Sequence, residues 1–455
     1  MGKVCDFGTC IQGCYILDAG ATFWPGTWDP SGGCGYCQPF GSGGINYWTP
    51  AVDGQYCYVS GGDVCVGGNC VAGCLVSTLP NQTSQIPTLE PAGWVTNGCF
   101  SCQPFSWPDG VLYDQLLNPP ACVDPPDYPF PSANIAGGIG GDGRFWVTGG
   151  WNYSGPGASY FVSNQSWGFD PNGNNWLQGP NLILQRRDAA GTAANGQIFI
   201  FGGMDSTNAT LSSAEYFNPP ATPWVALTPL STPRHLGGAA YVPSIDTIFV
   251  FGGEESVDGT PVDTIETYQG SAPYAQNVLA AADTTNLFPP NLALTGPTGE
   301  PVLIGSSYVV DDTDQIIYAI GGYYPYGGSA HSSVWAYDIT NNAWSWAPSL
   351  AVAQAVAGNT VVTSSTTNTI FEVTGDIGFG LPSSEFQTAD LSDAGLPTWS
   401  TAIPTPAWAR LGAMAFYNPP PDDRVYVIGG ENSGYIIPTV EVFVLAGGYD
   451  VWIPY

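Results

Sequence analysis

Positive charge is what this chain has least of. Its 455 residues hold 7 Lys and Arg against 37 Asp and Glu, a net charge of −30 at pH 7, and Lys3 is the single lysine. Repulsion on that scale excludes polyanionic partners, so neither nucleic acid nor an anionic membrane surface is expected. No run of about 18 apolar residues occurs, so no membrane-spanning helix is expected either. Charged residues make up only 10% of the chain, while Gly 60 and Pro 41 point to many short strands and turns rather than helices. A surface of Ser, Thr, Asn and aromatics with few trypsin-type cleavage points suits an extracellular life. Met1 to Cys5 has no apolar leader core. Export therefore implies a leader removed ahead of this numbering, or a chain that is itself a fragment.

Cysteine is absent from the last 333 residues and dense before them. Cys5, Cys10, Cys14, Cys34, Cys37 and Cys57 leave gaps of 4, 3, 19, 2 and 19 residues. Cys65, Cys70, Cys74, Cys99, Cys102 and Cys122 leave gaps of 4, 3, 24, 2 and 19. Both copies continue Cys-Gln-Pro-Phe, at Cys37 and at Cys102. The spacing predicts two tandem modules, at 1–60 and 61–125. Each is too small to bury a sufficient core unaided, so disulfides are expected to supply the difference. Which cysteines pair within each module cannot be read from spacing. Structural zinc at the Cys-x-x-Cys pairs is the rival reading, but His235 and His331 lie far along the chain. The modules resemble cysteine-rich repeats of some secreted bacterial proteins, through Cys65-Val-Gly-Gly-Asn-Cys70 and the Cys-Gln-Pro elements. That likeness implies an extracellular spacer or interaction module.

From 132 to 455 a different repeat takes over. Six apolar runs end in a glycine pair or its remnant: Phe145–Gly150, Ile198–Gly203, Ile248–Gly253, Ile317–Gly322, Phe371–Asp376 and Val425–Gly430. Their spacings of 53, 50, 69, 54 and 54 residues fit a unit of about 50 residues. An aromatic and then usually a tryptophan follow, as in Phe169 with Trp176 and Tyr337 with Trp344. This pattern resembles the kelch repeat. The resemblance implies an all-β, six-bladed kelch-type β-propeller behind an N-terminal disulfide-rich region, with each glycine pair closing a second strand. The fifth run reads as having Asp376 in place of the second glycine. The 69-residue interval reads as an insertion near 270–300, after a third blade that lacks the tryptophan.

In such blades the approach to strand one and the loop joining strands two and three share a face. There the sequence gathers Arg187, Arg234 and Arg410 with Trp151, Tyr153, Tyr323, Tyr324 and Tyr326, and with Asp205, Glu254, Glu255 and Glu431. The arginines tie blades together, or they front an anion- or sugar-binding mouth with aromatic platforms. His235 is expected to cap or pack, and His331 to be exposed. Among kelch-like enzymes, galactose oxidase needs two histidines, tyrosines and a thioether-linked cysteine for copper, but the propeller region has no cysteine. A sialidase would need Asp boxes as well as arginines, and no such box is present. Asp311-Asp312-Thr313-Asp314 and Asp170–Asn174 offer oxygen ligands for calcium, in competition with ordinary turn chemistry. Otherwise no cofactor is expected. Sequons at Asn81, Asn152, Asn164 and Asn208 predict glycosylation.

Together these features predict a non-enzymatic secreted or cell-surface structural or adhesion glycoprotein. It would bind itself or other extracellular proteins as a subunit of an extracellular assembly or filament. A carbohydrate-binding propeller is the alternative, and a degenerate secreted enzyme comes third.

Overall fold

A computed structural model divides the chain into two compact units, Met1–Val123 and Asp124–Tyr455. It describes residues 125–453 together with the backbone of short strands between Lys3 and Leu116. The exceptions are 154–159, 221, 257–258, 281, 287–300, 302, 325–328, 354–360, 364–367, 392–397, 402–405, 407–408, 433 and 445–450. In the first unit both cysteine repeats contain the same antiparallel pairing. Lys3–Asp6 pairs with Thr9–Gln12, setting Cys5 opposite Cys10, and Asp63–Val66 pairs with Asn69–Val76, setting Cys65 opposite Cys70. The cysteine side chains, and with them the disulfide or zinc reading, lie outside the described residues, as does Asn81.

The second unit is a six-bladed β-propeller of antiparallel meanders. Blade one comprises Ala136–Ile139, Phe145–Thr148, Ser166–Asp170 and Asn175–Gln178; blade two Ala190–Ala194, Gln197–Phe201, Ala214–Phe217 and Val225–Ala226. Blade three comprises Gly238–Val242, Thr247–Phe251, Glu266–Gln269 and Gln276–Val278; blade four Ser307–Asp311, Ile316–Ile320, Val334–Asp338 and Ala343–Ala347. Blade five comprises Val361–Thr363, Thr369–Asp376, Pro382–Asp390 and Trp399–Thr401; blade six Leu411–Asn418, Arg424–Asn432, Glu441–Val444 and Val451–Ile453. The second strands read as unbroken apolar runs because neighbouring blades cover both of their faces. Phe249 and Phe251 of blade three, for example, pack with Tyr308, Tyr337 and Trp344 of blade four. The insertion after blade three forms no further blade in its described part. Its strand Asp283–Asn286 pairs in parallel with Ala343–Ala347 and widens blade four.

The first strands stand around an axial channel of about 400 Å³, walled by small side chains such as Gly138, Ala193 and Ala240. Just ahead of these strands, left-handed residues join blade to blade. The Asn134 amide donates to Gly412, Asp188 to Asn134, Leu236 to Asp188 and Gly305 to Leu236. Each blade is built from contiguous chain. The circle therefore closes through the segment before blade one, where Tyr128 donates to Pro438 and Ser132 accepts from Gly430.

The glycine pairs have a steric cause. A Cβ on Gly202 would lie 2.2 Å from the Arg234 carbonyl of the next blade, and one on Gly252 would lie 2.1 Å from that of Leu303. The glycine reading of blade five needs correcting. The Gly375 amide donates to Arg410 as Gly203 does to Arg234, so Gly375 is the second glycine of the pair. Thr374, at φ 61°, replaces the first, and Asp376 is the residue that follows the pair.

Candidate functional site

Three buried arginines repeat one geometry on the face where the glycine pairs lie. Arg234 donates from Nη1 to the carbonyls of Gly252 and Thr264 and from Nη2 to Glu266, at 3.2, 3.1 and 2.8 Å. Arg410 does the same with Gly429, Thr439 and Glu441 at 2.9, 3.2 and 2.7 Å. In blade two the equivalent residue is Arg186, bound to Gly202, Ser213 and Glu215. The expectation that Arg187 was the third member is therefore off by one residue. Arg186-Arg187-Asp188 aligns with Arg234-His235-Leu236, and the left-handed third residue, at φ 53° in both, fixes the register. Each of these arginines also accepts an amide from the preceding blade, from Gly150, Gly203 or Gly375. Burial pulls the guanidinium pKa values down, and the glutamate partners oppose it. At 0–1% exposure these arginines join blades and present nothing to a ligand.

Arg187 instead reaches the rim. It pairs with Asp188 and lies 5.7 Å from the Trp151 ring, which stacks on Tyr160 at 4.7 Å. The positions after the glycine pairs hold Trp151, Met204, Glu254, Tyr323, Asp376 and Glu431. Tyr323 is spent on a 2.7 Å bond to Asp376, and Tyr324 packs edge-on against His331. The Tyr153 side chain and all of Tyr326 lie outside the described residues. The carboxyls of Glu254 and Glu431 titrate above their ordinary range, through burial first and then through Asp188, joined for Glu431 by Asp376. The rim is thus acidic, with Asp205 and Glu255 further out on neighbouring loops.

The histidines divide differently from expectation. His235 donates from Nδ1 to the Glu254 carbonyl at 3.0 Å, a capping contact. His331 is only 2% exposed, the reverse of the surface position expected, because it folds under Gly322. The calcium candidates have their carboxylates in use. Asp170 accepts from the amides of Asn172 and Gly173, Asp311 from those of Thr313 and Asp314, and Asp312 from Ser244. Among the described residues no three acidic, His or Cys side chains gather as a metal site. Of the sequons, Asn208 is exposed, Asn164 is partly buried, and Asn152 is buried in the blade-one loop.

Two features were not read from the sequence. The glutamates Glu215, Glu266 and Glu441 were missed, although each is an acid in a third strand 29, 32 or 31 residues after its arginine. The apolar blade-five loop, Ile377 to Leu381, was also missed; its signal is the Gly-Phe-Gly at 378–380.

The Kelch motif family model matches residues 185–231 and 313–351, within blades two and four. Kelch-like protein 35 of Mus musculus is 28% identical over 128 residues, covering 26% of this chain and 22% of the mouse protein. The chain thus matches less than a quarter of that relative's length. Among solved structures, that of YjhT covers 72% of this chain and 99% of its own at a TM-score of 0.52, with 14% identity, a likeness of fold alone. The chain therefore carries kelch motifs on a six-bladed β-propeller.

Proposed function

We propose that this chain is a non-catalytic, extracellular structural or adhesion protein that works through protein contacts, its cysteine repeats stapled by disulfides. One observation carries the reading. On the loop face the repeated geometry of Arg186, Arg234 and Arg410 is spent inside the fold. Large apolar side chains remain in solvent on the loops there: Tyr160, Phe161, Ile377, Phe379, Leu381 and Tyr435. Apolar loops held in water mark contact surfaces, whereas chemistry needs convergent polar groups with room for a substrate. Twelve cysteines within the first 122 residues and a single lysine support the extracellular setting. Light scattering and cross-linking of material from the natural source at physiological salt test it. Assembly or a co-purifying partner is expected, and a lone monodisperse monomer of 47.7 kDa rejects it.

A further inference from the structure

Blade five carries a loop built to hold apolar side chains outward. Asp376, 3% exposed, fastens it from within. Its Oδ1 accepts from the amides of Gly378 and Leu381 at 2.7 and 2.9 Å, and its Oδ2 from Gly380 at 2.9 Å and from the Tyr323 hydroxyl at 2.7 Å. Ile377 donates to the Leu381 carbonyl, and Gly378 bridges to Ser329 of blade four. A loop tied this fully is pre-organised, yet it leaves Ile377 48%, Phe379 75% and Leu381 55% exposed. Phe379 sits at φ 59° between two glycines that are also left-handed, a conformation that disfavours any residue with a Cβ. An aromatic held left-handed and three-quarters in water is poorly explained by packing within the fold.

The loop's neighbours fix the chemistry of what covers it. Asp376 and Glu431 interact electrostatically with each other, and Glu431 with Asp188, so the apolar side chains flank a concentration of negative charge. Glu254 senses Asp188 in the same way. Blade six continues the apolar surface with Tyr435, 69% exposed, and Gly434 of that loop approaches the Tyr160 hydroxyl of blade one. Among the described residues of this rim, Arg187 is the cation, and Asp188 already pairs with it.

We propose that the Ile377 to Leu381 loop, beside the rim where Glu254 and Glu431 present carboxyls, docks a protein segment that combines apolar side chains with Lys or Arg residues. The inference rests on the protein-contact function proposed above and names the chemistry of the partner. A second copy of this chain fits less well, since each copy carries a charge of −30. The loop supplies a rigid apolar anchor, and the acids select cations around it and speed their approach.

Fluorescence anisotropy on the full chain tests this with two labelled heptapeptides, Lys-Leu-Lys-Phe-Lys-Leu-Lys and its glutamate counterpart. The lysine peptide should bind, and Phe379→Ser should weaken it at least about tenfold while leaving the thermal midpoint within a few degrees. Ile377→Ser with Leu381→Ser gives an independent reading should Phe379→Ser fold poorly. Equal binding by the parent and both variants, or by the glutamate peptide, overturns the proposal. So does a dimer in sedimentation velocity that dissociates on Phe379→Ser, which would assign the loop to self-association. Assembly of the natural material with no binding of the lysine peptide would sink this inference and leave the broader function standing.

Discussion

Nη2 of Arg410 lies 2.7 Å from Oε2 of Glu441, and both side chains are fully buried. Blades two and three repeat the pair, but blade four does not. There Leu303 accepts from Gly253 as Arg234 accepts from Gly203, and Trp335 lies opposite Ala319 as Glu266 lies opposite Val250. One architecture thus accepts an ion pair or an apolar pair in the same place. The ion pair recovers its desolvation cost only while both partners are present. Glu441→Leu should destabilise by about 3–5 kcal/mol in urea unfolding, because it strands a buried guanidinium. The double variant Arg410→Leu with Glu441→Leu should be clearly more stable than Glu441→Leu alone, and a double variant that is no better would count against this account.

His331 gives a pH prediction with a definite sign. Burial pushes its pKa down to about 4, with no charged neighbour contributing. The folded pKa lies below the unfolded value near 6.5, so the unfolded chain takes the proton first as pH falls. The stabilisation is intact above about pH 6.5, declines on acidification, and is spent below about 4, a loss of roughly 3 kcal/mol. Glu254 and Glu431, whose carboxyls titrate high, act oppositely in the acidic range. The informative quantity is therefore the difference between the parent and His331→Asn. The parent should lose more urea resistance than the variant between pH 7.5 and 4.5. Parallel pH profiles would mean that the imidazole is hydrated.

How much of this could be read from the residues follows from what each feature depends on. The blade count was legible because Gly-Gly after an apolar run answers a local demand, the carbonyl pressed against Gly202 or Gly252. The arginine register was not, because adjacent Arg186 and Arg187 look alike until the left-handed Asp188 fixes which one turns inward. The glutamates that receive the arginines lie a strand away, and sequence distance hides the pairing. His331 looked exposed among glycines and serines, yet those small residues are what let the chain fold it under Gly322. Asp376 looked like a degenerate glycine because the loop it fastens becomes visible only in three dimensions.

The cysteine repeats yield a chemical test. The shared register that sets Cys5 opposite Cys10 and Cys65 opposite Cys70 is expected of two copies that fold alike, each with its own bridges. Non-reducing peptide mapping should return twelve oxidised cysteines, with no bridge joining 5–57 to 65–122. Free thiols, or stoichiometric zinc in the native protein, would contradict it.

Thr374 stands where five other blades place a glycine, at φ 61° against 64° for Gly149, 61° for Gly202 and 71° for Gly429. Its side chain is fully buried, and Oγ1 has no hydrogen-bond partner among the described residues. A β-branched residue held left-handed costs about 1–2 kcal/mol, and an unsatisfied buried hydroxyl adds to that. Thr374→Gly removes both costs. Against this stand one buried methyl group, about 0.8 kcal/mol, and a freer unfolded chain, about 0.4–1 kcal/mol. The balance favours the variant by about 1 kcal/mol, a rise in thermal midpoint of a few degrees. The reverse change in blade two, Gly202→Thr, would drive a Cβ to 2.2 Å from the Arg234 carbonyl and should destabilise severely. If Thr374→Gly lowered the midpoint instead, packing of the threonine methyl would outweigh backbone strain, and blade five would have adapted its core to the missing glycine.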